Sequence, residues 1–148
     1  MKRVMIGITS LMMAYAPFAM SQTNAPFSPV VEANGVIYLA GHLGGDPQTR
    51  IYAKDIGEQT AQTLENIKAT LATVNASLED VVRCQVFMSD ISEFSDMNKA
   101  YRKFFPHNPP TRTTVGIAGL ALDAAKIEIE CTAVRGHGQR VKPKAEEN

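Results

Sequence analysis

Two short runs hold most of the side chains in this 148-residue chain that could do chemistry. The first is Asn108-Pro109-Pro110-Thr111-Arg112-Thr113-Thr114-Val115-Gly116, which sets an arginine at the start of a β-prone run just after a rigid Pro-Pro turn. A guanidinium held there is a bidentate clamp for a carboxylate, because its planar fork matches the two oxygens. The second is Ile127-Glu128-Ile129-Glu130, where period-two alternation puts both carboxylates on one face of a strand and both isoleucines on the other. A carboxylate so placed can orient a water and take its proton. Each run also has a plainer use. An arginine at a strand start often serves a surface ion pair, and alternating glutamates often form a solvated face.

Other groups point less clearly to chemistry. The three histidines, His42, His107 and His137, have no metal-ligand spacing, and two cysteines are too few for a structural zinc site, so no metal is expected. Gly41-His42-Leu43-Gly44-Gly45 resembles a phosphate loop but lacks the Lys-Ser/Thr end that would complete one. His42 stands beside a glycine at a strand end, where its ring either lines a pocket or sits partly exposed at the loop edge; the second is the simpler expectation. His107, next to Pro106, is expected on the surface and His137 in the tail. The chain holds no Walker A, GxGxxG, GxSxG or HExxH run.

A small set of elements must position these residues. Val36-Ile37-Tyr38-Leu39-Ala40 is a β-prone run after the turn signal Asn34-Gly35, and Gly41 ends it. Gly44-Gly45-Asp46-Pro47 is a loop. Over residues 55–74, Ile56, Ala61, Leu64, Ile67, Ala69, Leu71 and Val74 recur at helical spacing. Residues 81–88 form a strand with Val82, Cys84, Val86 and Met88 on one face. Asp90 or Ser92 can cap a second helix over about residues 93–105, whose apolar side holds Phe94, Met97, Tyr101, Phe104 and Phe105. Residues 112–118 and 126–134 are the last strands. The order β(β)-α-β-α-β-β predicts an α+β domain, one sheet with two helices packed on a single face. The bare face then needs a cover, which a second copy of the chain could supply. Cys84 and Cys131 both lie in apolar, strand-like runs and are expected as buried unpaired thiols; whether they meet depends on strand order, which spacing does not give.

Composition bounds the function. Fifteen basic and fifteen acidic side chains balance, which argues against a nucleic-acid partner bound through its phosphates. With 45% hydrophobic residues the chain is not disordered, and its length suits one domain. Met1-Lys2-Arg3, an apolar stretch over residues 4–16 and the small residues of Ala19-Met20-Ser21 have the pattern of a cleavable signal peptide over residues 1–21. The mature protein would start at Gln22 in the periplasm or outside the cell, without a membrane anchor and with a small acidic excess. Residues 22–135 would be the domain and residues 136–148, polar and rich in Gly, Pro and Lys, a flexible tail.

The stretches PFSPVV (26–31), IYLAGHLG (37–44), QTLENIKATL (62–71), LEDVVRCQVFMSDISEFSDMNKAYRKFFP (78–106), PPTRTTVGIAGL (109–120) and KIEIECTAV (126–134) together resemble the reactive intermediate deaminase (Rid, or YjgF-like) family. The resemblance implies a chorismate-mutase-like α+β subunit in a homotrimer, with pockets at the subunit interfaces and no cofactor. It also implies hydrolysis of 2-imino acids, formed from enamines, to 2-keto acids and ammonia, of the 2-iminobutanoate/2-iminopropanoate deaminase type. By position, Arg112 would grip the substrate carboxylate, Gly41 would line the pocket with its backbone, and Asn98 would approach from the second helix. Glu128 would orient and deprotonate water, and Thr114 would set a hydroxyl where many relatives have a cysteine thiol. The tyrosine that many relatives carry on the first strand corresponds to Val30. A different class of function uses the same clefts without turnover, as a trimeric small-molecule-binding or chaperone-like protein. Presence of both Arg112 and Glu128 favours the enzyme, since a carboxylate binder needs only the first. Ribonuclease activity fits badly with the charge balance.

Overall fold

The chain makes its first turn at Asn34-Gly35. Both residues take positive φ, 53° and 77°, as a two-residue hairpin loop requires to match the twist of its strands. The turn joins β1 (Val30–Ala33) to β2 (Val36–Leu39), antiparallel with Ala33 opposite Val36. This computed structural model describes residues 26–136; the expected signal peptide and all but the first residue of the expected tail lie outside the described residues.

The remaining elements are β3 (His42–Leu43), α1 (Ile56–Thr73), β4 (Val81–Met88), α2 (Phe94–Phe104), β5 (Thr111–Gly116) and β6 (Ile127–Val134). They form one mixed sheet in the order β1-β2-β6-β4-β5, with β3 also paired to β6. β6 runs antiparallel to β2, β3 and β4, and β4 and β5 are parallel, joined through α2. Ile37, Leu39, Val86, Met88, Ile127 and Ile129 project from one face and meet Leu64, Ile67 and Leu71 of α1 and Met97 and Tyr101 of α2 in a single buried cluster. The fold is therefore the expected α+β arrangement, with both helices on one side. Tyr38, Thr132, Arg83, Gln85, Glu130, Phe87 and Glu128 alternate with the core residues onto the other side, which no helix covers.

Three expectations are corrected. On α1 the buried stripe uses Gln59, Thr60 and Thr63 rather than Ala61 and Ala69. The threonine hydroxyls donate to Ile56 O (2.7 Å) and Gln59 O (2.8 Å), one turn back, so burial leaves them satisfied and their methyl groups pack like those of valine. On β4 the register shifts between Val81 and Arg83, so the fully buried position goes to Val81 and Val82 is the extra residue of a bulge. Finally, Cys84 and Cys131 are not separate thiols. β4 and β6 are neighbours, the two cysteines stand opposite each other, and a disulfide joins them. It closes a sequence separation of 47 residues, a constraint worth about 3–4 kcal/mol to the folded state.

α1 starts at Asp55, whose carboxylate accepts from Glu58 N at 3.0 Å. Asp90 caps the short 3₁₀ turn Ile91–Glu93 that leads into α2, while Glu93 at the α2 boundary makes no side-chain cap.

Candidate active site

Arg112 stands opposite Cys84 in the parallel β4–β5 register, which turns its side chain to the helix-covered face beneath α2. There Phe94, Asn98 and Tyr101 share one flank of the helix. Arg112 Nη2 donates to Asn98 Oδ1 at 2.8 Å. Its guanidinium carbon lies 4.6 Å from the Tyr101 ring centroid and 5.7 Å from that of Phe94, two cation–π contacts that hold the fork in position. Among the described residues no carboxylate pairs with Arg112. Its remaining N–H groups face a cavity of about 470 Å³ lined by Asn98, Tyr101, Arg102, Phe105 and Pro109 among others. The Tyr101 hydroxyl is buried without a hydrogen-bond partner, and burial pushes its pKa up to about 12, so it stays an O–H donor. Thr114, two residues along β5, points to the same face, and its Oγ1 is likewise buried and unpartnered.

Glu128 belongs to a second cluster. Between Tyr38, opposite Thr132, and His42, opposite Ile129, the β2–β3 edge holds one residue more than β6, so the chain bulges at Ala40-Gly41. Gly41 thereby lies directly on the Glu128 carboxylate; a Cβ at position 41 would overlap Oε1. Partial burial raises the Glu128 pKa above the usual carboxylate value, and the negative charge of Glu130 raises it further. His42 fixes the bulge from behind. Its Nδ1 lies 2.7 Å from Ala40 O, an atom that can only accept, so Nδ1 carries the proton; Nε2 lies 2.8 Å from Thr70 Oγ1, whose one hydroxyl proton it shares with Asn66 O at 3.1 Å. Burial holds the ring's pKa below its ordinary value and so keeps it neutral. His42 is thus partly exposed, as expected, but stands in β3 as a strut between the bulge and α1 rather than in a loop. Val30 packs onto the core opposite Leu39 and does not line the Glu128 cluster. The strand pairing continues past it, with Ala40 N donating to Pro29 O at 3.0 Å, and exposed Phe27 lies just beyond.

The five candidate residues thus form two groups rather than one. Arg112, Thr114 and Asn98 gather on the helix-covered side at the β5 edge. Gly41 and Glu128 gather on the bare face, where Glu128 stands opposite Phe87, a neighbour of Val115. On β4, Cys84 and Phe87 point to opposite sides, so one chain carries the two groups on opposite faces of its sheet.

The profile of the family described as Endoribonuclease L-PSP matches residues 18–135. The chain belongs to this family, also known as the YjgF-like or reactive intermediate deaminase family. Within it, the chain is 36% identical over 113 residues to the 2-iminobutanoate/2-iminopropanoate deaminase of Salmonella typhimurium, a match spanning 74% of this chain and 88% of that one. It is 37% identical over 109 residues to the chloroplastic Reactive Intermediate Deaminase A of Arabidopsis thaliana, spanning 73% and 58%. The crystal structure of E. coli TdcF with bound serine superposes with a TM-score of 0.72 at 32% identity, covering 76% of this chain and 91% of that one. Deaminases are thus among its relatives in the reactive intermediate deaminase family.

Sequence reasoning missed three parts of this family member's site. Tyr101 and Phe94 seemed core residues of an amphipathic helix, although an arginine beside a helix rich in aromatics is a signal for stacking. Arg102 offered no pattern, because only the packing of α2 against the Pro109–Pro110 turn puts it at the cavity. The support given by His42 depends on a contact across 28 residues of sequence. Among the described residues no three His, Cys, Asp or Glu side chains gather as a metal site.

Proposed function

We propose that this protein is a cofactor-independent deaminase that hydrolyses reactive 2-imino and enamino acids to 2-keto acids and ammonia. The observation that carries the proposal is the half-buried Arg112, stacked and oriented yet lacking a carboxylate partner among the described residues. A guanidinium withdrawn from water without its counter-ion is a site for an anion, and the fork selects a carboxylate. Glu128, with its pKa raised, suits a group that takes a proton from water and returns it. Water adds through its oxygen to C2 of the protonated imine as Glu128 accepts the proton. That proton then passes to nitrogen, the C–N bond breaks as the new hydroxyl gives its own proton to Glu128, and ammonia leaves a keto group behind. An iminium carbon is already electrophilic, so orientation and one acid–base group suffice.

Because the two groups occupy opposite faces of one sheet, the proposed site requires two copies. In a homotrimer the Arg112 group of one subunit meets the Glu128 group of the next, and the bare sheet face supplies the interface. A non-catalytic binder would use Arg112 but has no need of a pKa-shifted glutamate seated on a glycine bulge. We also propose export: the signal-like residues 1–21 and the Cys84–Cys131 disulfide both suit an oxidising compartment. Intact Met1 on protein recovered from the cytosol would contradict export.

The test of function generates an imine with an amino-acid oxidase and follows its disappearance. The expected result is faster loss with the protein present and none of that acceleration with Arg112→Ala. Equal loss with and without the protein would refute the proposal.

A further inference from the structure

The cavity at Arg112 contains a second arginine. Arg102 follows Asn98 by one helical turn, lines the same space, and forms no ion pair among the described residues. Its neighbour on α2 differs: Lys99 is neutralised by Asp96 at 2.8 Å. None of the residues lining the cavity is acidic. The same cavity is lined by Phe105, Pro106, Pro109 and Pro110, which offer apolar surface to methylenes, and the unpartnered Tyr101 hydroxyl adds a donor. Two arginines on the walls of about 470 Å³, with no acidic residue of the same chain among the lining, favour an anion there, and a ligand with one negative end satisfies only one of them.

We propose that the substrates are 2-imino dicarboxylic acids of four or five carbons, with Arg112 holding the carboxylate next to the imine and Arg102 the distal one. This rests on the deaminase reading and narrows it. The reaction is unchanged in balance: water oxygen bonds to C2, the C–N bond breaks, nitrogen leaves as ammonia, and both carboxylates remain in the 2-keto diacid.

The test compares imines generated by flavin oxidases from glutamate and from 2-aminobutanoate, with wild type and with Arg102→Gln, and in parallel titrates 2-oxoglutarate and 2-oxobutanoate by calorimetry. The expected kcat/KM ratio favours the glutamate-derived imine by about tenfold, the low end for a charge-assisted contact because Arg102 is exposed, and falls towards one in Arg102→Gln. A wild-type ratio near one, or a ratio that Arg102→Gln leaves unchanged, overturns the inference while the deaminase reading stands. If neither imine is accelerated, the deaminase reading fails and the titrations decide separately. Tighter binding of 2-oxoglutarate that Arg102→Gln abolishes then sustains recognition of a diacid, and equal binding of the two keto acids overturns it.

Discussion

Arg112 is held by side chains, whereas Glu128 is held by backbone. Asn98, Tyr101 and Phe94 fix the guanidinium from α2 through one hydrogen bond and two ring contacts. Glu128 makes no side-chain hydrogen bond among the described residues and lies instead against Gly41, whose bulge is tied back to α1 by His42 and Thr70. The difference suits the two tasks proposed for them. A clamp must present donors in one orientation, and tight packing fixes orientation. A base must change protonation state during turnover, and a carboxylate bonded to fixed donors would have its pKa pulled down. Partial burial beside Glu130 moves the Glu128 pKa the other way, towards the working range of a general base.

The largest effect is expected where the base is removed. Glu128→Gln keeps shape and volume but cannot take the proton from water, so kcat should fall by about 10²–10⁴ while calorimetry finds keto-acid binding nearly unchanged. A parallel loss of binding would make Glu128 part of the clamp and erase the distinction between the two groups. Arg112→Lys comes next. It preserves charge but loses the fork and weakens the cation–π contact with Tyr101, at about 1.5–3 kcal/mol, or roughly ten- to a hundredfold in kcat/KM. A lysine variant with wild-type kcat/KM would show that charge alone suffices. The smallest effect belongs to Glu130→Gln. Glu130 disfavours the ionised form of Glu128, so its removal lowers the Glu128 pKa and moves the acid limb of the kcat/KM profile to lower pH. Burial, the larger cause, remains, so the shift should be modest and the rate at neutral pH little changed. A limb that stays in place would mean that Glu128 does not govern it.

The place of Arg112 at a strand start, the shared face of Glu128 and Glu130 and the one-sided layering could be read from sequence because each depends on local pattern: a Pro-Pro turn before an arginine, period-two alternation in Ile127-Glu128-Ile129-Glu130, and helical spacing in α1 and α2; the roles of the two residues come from the family resemblance, not from these patterns. The disulfide could not, because it depends on β6 lying beside β4, a pairing of strands 47 residues apart. Apolar counting misjudged α1, since Thr60 and Thr63 are buried with their hydroxyls bonded to the helix itself. The bulge at Ala40-Gly41 was visible only as a glycine ending a strand; that it lets Glu128 approach the backbone follows from the β3–β6 register. The separation of the two groups was hidden for the same reason. Period-two alternation gives the face within one strand, but only the register across β4 relates Arg112 on β5 to Glu128 on β6.

That separation makes mixing of subunits the most direct test of the two-copy site. Arg112→Ala and Glu128→Gln proteins, each inactive alone, are unfolded together in equal amounts, refolded so that subunits combine at random, and assayed for imine loss. A site that takes Arg112 from one copy and Glu128 from its neighbour is intact at about one interface in four, so the mixture should recover roughly a quarter of wild-type activity. A mixture as inactive as its components, with mixed oligomers demonstrated, would contradict the account by placing both residues in the same chain's site.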